Sequence, residues 1–322
     1  MPVLASLIAA VVPMTFYMII LWRLDKYEKE PFKQVLKHFL WGAVGAIILT
    51  LIGATIFTSA VEILFPTIIA IGLFEVVIVA PLIEELMKGI YLFNTSRTNH
   101  FDNITDGLVY GGAIGLGFGM TENFMYFFTY GVDFESWLGL VIIRSTFSAV
   151  MHCIATATFG AFIAMYKFNI SGIRYMLPLS GYAIAVLIHF MWNLSVSFEA
   201  TYFLRFLFLL LMIFLFFAVF LTSLAHEKRI ILKELKSEEN ISLLIPDEIE
   251  IVSSLKRSKK GWIKEEYRKQ YIETAIRFAF RKHQLRNAKY TNIAFYQTEV
   301  EKLRITLAQL VAKIRNDYEG TK

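Results

Sequence analysis

Charged residues and cysteine are scarce in this sequence. Of its 322 residues only 18% are charged and one, Cys153, is a cysteine, whereas 56% are hydrophobic and 29 are phenylalanine. This composition is far too apolar for a soluble domain of this size. The single cysteine excludes an intramolecular disulfide, and we interpret it as a small apolar side chain. Internal repeats, low-complexity linkers and nucleic-acid motifs are also lacking, so we expect a membrane protein without a nucleic-acid partner.

Long apolar runs predict an all-α polytopic membrane protein with about seven transmembrane helices. Each run contains about 18 or more mostly apolar residues, the length that crosses a hydrocarbon core of roughly 30 Å. The first run lacks a basic leader and an Ala-x-Ala cleavage site, so we interpret it as a retained helix. The predicted spans are residues 3–22, 39–61, 67–93, 107–130, 138–166, 177–198 and 202–225.

Basic residues occur in every second connection between the predicted spans. The connections 23–38, 94–106 and 167–176 contain Lys or Arg, as does the tail after residue 225, whereas the other three connections contain none. The positive-inside rule therefore places the N-terminus outside and the C-terminus in the cytoplasm.

The charge balance changes near residue 225, which divides the chain into a membrane domain, 1–225, and a basic cytoplasmic tail, 226–322. The tail carries 21 basic and 14 acidic residues, so the net charge of +5 comes wholly from it. Residues 262–285 and 295–316 have helical periodicity with one apolar stripe. We expect a helical extension that packs on itself or lies on anionic headgroups.

Ionisable and amide side chains interrupt four of the apolar spans. An ionisable residue at mid-membrane depth costs about 2.5–3.5 kcal/mol on insertion scales, so such residues face the bundle interior and mark a pathway or a site. The candidates are Glu75, Glu84, Glu85, Lys88, Glu122, Asn123, Arg144, His152, His189 and Asn193.

In the third span, Lys88 follows Glu84 by four residues and Glu85 by three, so its ammonium can lie beside either carboxylate. Adjacent helical residues point about 100° apart. One carboxylate can therefore face a site while Lys88 holds the other, and the spacing leaves their roles open. Pro81 in the same span could interrupt the helix.

The fourth span contains a ridge that predicts close helix packing. Glycine recurs there at intervals of four, which lets a neighbouring backbone approach. Glu122 and Asn123 continue this ridge, and Asp106 just before it is interpreted as an N-cap. The ridge glycines are Gly107, Gly111, Gly115 and Gly119.

The fifth and sixth spans each present a polar edge. Arg144, Ser148 and His152 are spaced by four, as are His189 and Asn193. By depth, we expect the glutamate pair and the two histidines to form a central cluster. In an outer layer we expect Arg144 to pair with Glu122 or with a buried Glu75.

Peptide hydrolysis suits such a cluster, because it needs a nucleophilic water and a donor for the developing oxyanion. Glu84 or Glu85 could act as the base. His152, His189 and Asn193 could donate to the oxyanion, or the two imidazoles with Glu85 could bind Zn²⁺ or another divalent metal with one position open. The residues leave the metal-dependent and metal-free mechanisms open.

Four motifs on successive spans, "EELMK", "FGMTEN", "SAVMHC" and "HFMWN", together resemble the PrsW family of bacterial intramembrane proteases. This family is similar to the CAAX-processing and Abi-type membrane peptidases, whose pattern has a histidine where this sequence has Glu122. The resemblance covers about residues 1–225 and implies a multi-pass endopeptidase of the bacterial cell membrane. It further implies a single-pass membrane substrate such as an anti-sigma factor in stress signalling. The site residues that it implies are Glu84, Glu85, Glu122, His152, His189 and Asn193.

Two other functions fit the same residues. A transporter or receptor could use buried Glu, His and Arg as a proton or ion relay, although no inverted repeat supports this reading. A CAAX-type or Abi-type peptidase would act on lipidated or bacteriocin-like peptides.

Overall fold

The computed structural model describes residues 2–65, 72–98, 101, 103–168, 171–198, 201–238, 244, 246–287 and 293–319. These residues form helices and no strand, which confirms the all-helical prediction. The chain forms two compact units. One comprises Met1–Asp25 and Lys29–Phe220, and the other comprises Lys26–Glu28 and Leu221–Lys322. The domain boundary near residue 225 stays a prediction.

Helices of membrane length dominate the first unit, and the last of them continues into the second unit beyond Phe220. The start of the third predicted span, residues 67–71, lies outside the described residues. The helices are α1 (Val3–Leu24), α2 (Phe32–Leu64), α3 (residues 72–95), α4 (Ile104–Tyr130), α5 (residues 134–168), α6 (Gly172–Val196) and α7 (Tyr202–Lys236).

Within the described ranges, five helices are long and apolar enough to cross a membrane, namely α1, α2, α5, α6 and α7. The other two predicted spans correspond to α3 and α4. Helix α3 carries three ionisable side chains within five residues, and α4 is rich in glycine, so both are less apolar. The count of seven spans and the orientation therefore stay predictions.

The glycine ridge of α4 packs against α5, as its spacing predicts. A Cβ added at any of the first three ridge glycines would overlap a backbone carbonyl oxygen of α5, and these oxygens belong to Gly160, Thr156 and His152. At Gly119 the added Cβ would lie 3.2 Å from Cα of Ala149. The two backbones therefore lie in direct contact, which fixes the position of His152 relative to α4.

The start of α4 differs from the expectation for Asp106. Asn103 is the N-cap, and its side chain accepts a hydrogen bond from the Asp106 backbone N–H at 2.8 Å. In turn, the backbone N–H of Asn103 donates a hydrogen bond to Oδ2 of Asp106 at 3.0 Å. Asp106 is therefore the third residue of a capping box and not the N-cap, because the carboxamide three residues earlier already caps the helix.

In the part of the chain that the structure describes, three helices contain a π-helical turn, at Trp41–Ala46 in α2, Glu75–Val79 in α3 and Arg144–Ser148 in α5. Such turns are rare and often lie near functional sites. Pro81 does not break α3, because it lies in the first turn of the α-helical part that follows the π-turn.

The second unit contains the end of α7 with α8 (Pro246–Val252), α9 (Glu265–Arg286) and α10 (Ile293–Glu319). Helices α9 and α10 confirm the two helices predicted in the tail. Together with the end of α7, they pack on a hydrophobic core within the second unit that includes Ile231, Leu235, Tyr271, Phe278 and Leu307. The tail therefore packs on itself, which was one of the two expectations for it.

Candidate active site

Lys88 of α3 is the centre of a buried polar cluster that joins three helices. Its Nζ is fully buried and lies 2.7 Å from Oε1 of Glu85, 3.4 Å from Oε2 of Glu84 and 3.0 Å from Nδ1 of His152. It also lies 3.9 Å from the ring centroid of Phe118 on α4. Two carboxylates and an aromatic face compensate a charge that would otherwise be very costly to bury.

Glu85 is the carboxylate that the protein holds from several sides. Its Oε1 accepts from Lys88 at 2.7 Å and from Nδ1 of His189 on α6 at 3.0 Å. Its Oε2 accepts from Oγ1 of Thr156 on α5 at 3.0 Å. Because Glu85 is fully buried and both of its oxygens are engaged, its position is fixed by three helices.

Glu84 points in another direction and makes longer contacts. Its Oε2 lies 3.4 Å from Nζ of Lys88 and 3.8 Å from Nε2 of His189, and its side chain keeps 11% of its surface exposed. Of the two neighbouring carboxylates, Glu85 therefore makes the shorter hydrogen bonds, and Glu84 is the more accessible one.

His152 and His189 lie side by side, with their rings perpendicular and the centroids 4.8 Å apart. His152 accepts a hydrogen bond from Lys88 at Nδ1, so its Nε2 carries the proton and donates to Oε2 of Glu122 at 2.7 Å. His189 donates its Nδ1–H to Glu85, which leaves the lone pair of Nε2 on the side of Glu84. The network thus assigns a tautomer to each ring.

A second polar layer adjoins the histidines through Glu122. Its Oε2 lies 2.9 Å from Nη2 of Arg144, whose Nε donates to Oδ1 of Asn123 at 3.1 Å. The guanidinium also lies 3.6 Å from the ring centroid of Tyr126. Of the two partners expected for Arg144, the structure therefore shows Glu122.

The structure does not bring Glu75 and Asn193 into this cluster. Glu75 is exposed rather than buried, and it lies in the π-helical turn that precedes the α-helical part of α3 with Glu84. Asn193 is half-buried and donates its Nδ2–H to the backbone oxygen of Val76 at 2.8 Å. Asn193 therefore ties α6 to the π-helical turn of α3.

Two members of the cluster, Thr156 and Phe118, were missed by the sequence analysis. Thr156 follows His152 by four residues and so continues the polar stripe of α5 by one turn, a signal that was present in the spacing. Phe118 carries no polar group, and its contacts with the Lys88 ammonium and the His152 ring show its role.

One carboxylate and two imidazoles form a group that could hold a metal ion. One ligand atom from each of Glu84, His152 and His189 lies within 4.8 Å of the others. Two nitrogens and a carboxylate oxygen are a common ligand set for zinc with one position left open. The sequence analysis placed Glu85 in this set, but the geometry groups Glu84 with the histidines, and Glu85 instead accepts the Nδ1–H of His189. A carboxylate that accepts a hydrogen bond from the second ring nitrogen of a metal-ligating histidine fixes the tautomer of that histidine.

Comparison with known families agrees with the presence of a metal site. A sequence model described as PrsW family intramembrane metalloprotease matches residues 30–221. The chain belongs to the PrsW family. All three residues of the donor group lie within the matched range, and the metalloprotease description of the family agrees with a metal-binding role for them.

Curated PrsW proteins are similar to the chain over about half of its length. It is 29% identical over 161 residues to Protease PrsW of Clostridioides difficile (strain 630), a match that covers 50% of this chain and 65% of the relative. Protease PrsW of Geobacillus kaustophilus (strain HTA426) is 28% identical over 155 residues, which are 48% of this chain and 63% of the relative. Protease PrsW of Bacillus subtilis (strain 168) is 25% identical over 147 residues, which are 45% and 61%.

The matches therefore span less than two thirds of the length of these PrsW relatives. No solved structure matches the chain significantly. The relatives are bacterial, and the chain has several apolar helices of membrane length, so it is a multi-pass protein of a bacterial membrane.

Proposed function

We propose that this PrsW-family chain is an intramembrane endopeptidase that hydrolyses a peptide bond of a membrane-bound protein. The observation that carries the proposal is the buried group of Glu84, His152 and His189, whose donor atoms converge within 4.8 Å. Buried ionisable groups in a membrane protein are expensive and mark function. Here they combine a carboxylate with imidazoles, which is what activation of water requires.

The two adjacent glutamates have different roles in this proposal. Glu84 is the reactive carboxylate, because its contacts are longer and part of its side chain is accessible. Its carboxylate lies next to Nε2 of His189, where it can take a proton from a water held between the helices. Glu85 is the orienting carboxylate, because it accepts from Lys88, Thr156 and His189 and keeps the imidazole in one tautomer.

In the metal-dependent alternative, Glu84, His152 and His189 would be the ligands of a divalent metal such as Zn²⁺, and Glu84 would hold the metal instead of acting as the free base. When bound, the metal supplies a Lewis acid that lowers the pKa of water and polarises the scissile carbonyl. Both ring nitrogens of His152 already have side-chain partners, so ligation replaces one of these contacts. Glu85 would keep the imidazole of His189 oriented, because it accepts the Nδ1–H of that ring.

The proposed substrate is a single-pass membrane protein such as an anti-sigma factor, cut in response to stress. This assignment follows from the resemblance of the four motifs to the PrsW family. A substrate that is itself a membrane helix can reach a site built between membrane helices without first leaving the bilayer.

Substitution of each glutamate, with the candidate substrate co-expressed, tests the proposal. Glu84→Gln should leave the protein inserted and lower cleavage about 100-fold or more, the usual contribution of a general base. Glu85→Gln should also abolish cleavage. Glu75→Gln is the matched control, because it changes an exposed glutamate of the same helix and should cleave as wild type.

Comparison of the membrane proteomes of wild-type and Glu84→Gln cells should identify a single-pass protein that accumulates uncut in the variant. Wild-type cleavage by both Glu84→Gln and Glu85→Gln would refute the proposal. Proton-coupled uptake into proteoliposomes, with no peptide cleaved, would instead support the hypothesis that the protein is a transporter.

A further inference from the structure

Thr156 is a fully buried polar residue to which the proposed reaction assigns no role. It lies one turn after His152 on α5, and its own backbone carbonyl faces Gly111 of the packing ridge. Its Oγ1 donates to Oε2 of Glu85 at 3.0 Å. The close contact with α4 fixes the backbone of Thr156, so its hydroxyl reaches Glu85 from a rigid position.

The hydrogen bond of Thr156 differs from those of several other helical threonines in this protein. A threonine in a helix can donate to the carbonyl four residues earlier. Thr55, Thr95 and Thr158 do so, at 2.8 Å, 3.0 Å and 2.8 Å. Thr156 lies two residues before Thr158 on the same helix, yet its hydroxyl donates to a carboxylate of another helix. The cluster, and not the helix, therefore determines its orientation.

The carboxylate of Glu85 needs this bond to keep a single orientation. Lys88 and His189 both donate to Oε1, so without Thr156 the described contacts would hold only one oxygen. The group could then rotate about its terminal bond and move away from the imidazole. With Oε2 held by Thr156, both oxygens are fixed and the Nδ1–H of His189 has a stationary acceptor.

We infer that Thr156 is a positioning residue that, through Glu85, orients His189 as a metal ligand. The inference rests on the metal-binding group of the proposed function. Loss of an outer hydrogen-bonding partner of a ligating histidine typically lowers metal affinity 10-fold to 100-fold. Thr156 is one residue further from the ligand than such partners, so we expect about a 10-fold effect.

Zinc binding by the full-length protein in nanodiscs tests the inference. The metal-free protein is titrated with Zn²⁺ in the presence of a competing chelator, and its Kd is measured independently of activity. Thr156→Ser and Thr156→Ala form a matched pair, because both lose the methyl group and only Ser keeps the hydroxyl. We expect a Kd near the wild-type value for Thr156→Ser and a Kd about 10-fold higher for Thr156→Ala.

Thr158→Val is the control on the same helix, since it removes a hydroxyl that bonds only to its own helix. It should leave the Kd unchanged. Equal zinc affinities for Thr156→Ser and Thr156→Ala would overturn the inference, as would a wild-type protein that takes up no zinc. Cleavage of the substrate is scored separately. Cleavage with equal affinities removes the inference alone, whereas the expected affinities without any cleavage remove the proposed peptidase function alone.

Discussion

Replacement of Lys88 by methionine, an apolar side chain of similar length, should be among the most damaging single changes in this protein. The ammonium is fully buried and lies within 3.4 Å of both glutamates and of His152. Its removal leaves the buried Glu85 without its closest cationic partner. Breaking a buried ion pair by removing one partner costs about 3–5 kcal/mol, because the remaining charge is uncompensated.

A double-mutant cycle separates this charge effect from a loss of packing. Glu85→Gln removes the charge that Lys88→Met leaves unpaired, so the double variant should be more stable than the sum of the single effects predicts. We expect a coupling energy of about 1–3 kcal/mol, within the range seen for residues in direct contact. The assay is reversible unfolding of the purified protein in mixed detergent, followed by circular dichroism.

The control is Lys37→Met, which changes an exposed lysine of α2 and should alter stability by less than about 0.5 kcal/mol. Effects of Lys88→Met and Glu85→Gln that add within about 0.5 kcal/mol would refute the reasoning, since they would show that the two groups do not interact.

Three further predictions concern helix packing, metal and pH. Gly115→Leu should abolish cleavage, because the new side chain would overlap a backbone carbonyl of α5. The control is Gly139→Leu, whose side chain enters open space and which should cleave normally. Normal cleavage by Gly115→Leu would contradict the packing argument. Removal of zinc by a chelator should reversibly lower the midpoint temperature of unfolding, because Zn²⁺ at 100 times its Kd stabilises the folded state by about 2.7 kcal/mol. An unfolding midpoint that does not respond to zinc would contradict the metal site. In the second unit, burial raises the pKa of Glu238, but hydrogen bonds and charges from Lys282 and Arg304 outweigh burial and lower it overall. A lowered carboxyl pKa stabilises the fold above the pKa of the unfolded chain, and this stability is lost as pH falls through the folded pKa. The stability of Glu238→Gln should therefore depend less on pH than that of the wild type below about 4, near the pKa of an unfolded glutamate. An unchanged pH profile of acid unfolding would show that Glu238 does not contribute to this stability.

The helices were predictable because lipid imposes a simple requirement. A chain must present about 20 apolar residues to cross the hydrocarbon core with its backbone satisfied, and such runs are visible in any sequence. The close packing of α4 on a neighbouring helix was predictable for a related reason, since glycine at every fourth position forms a stripe without side chains. Both signals are local in the sequence.

The features that the sequence analysis misjudged depend on contacts between distant residues. Glu75 was expected to be buried because it is acidic in an apolar run, but it lies in the π-helical turn of α3 and on an exposed face. Asn193 has the spacing of a site residue, yet its amide donates to the backbone of another helix. Spacing shows which residues share a face, but the neighbouring helices determine what that face meets.

The roles of the two glutamates illustrate the same limit most clearly. Lys88 lies three residues after one carboxylate and four after the other, and both spacings permit an ion pair, so the helix alone cannot distinguish them. The distinction comes from α5 and α6, because Thr156 and His189 both donate to Glu85. With its oxygens already held, Glu85 is suited to orient the histidine, and Glu84 is left beside the imidazole nitrogens. The insertion cost of both charges is therefore offset by one arrangement, in which the two carboxylates meet different partners.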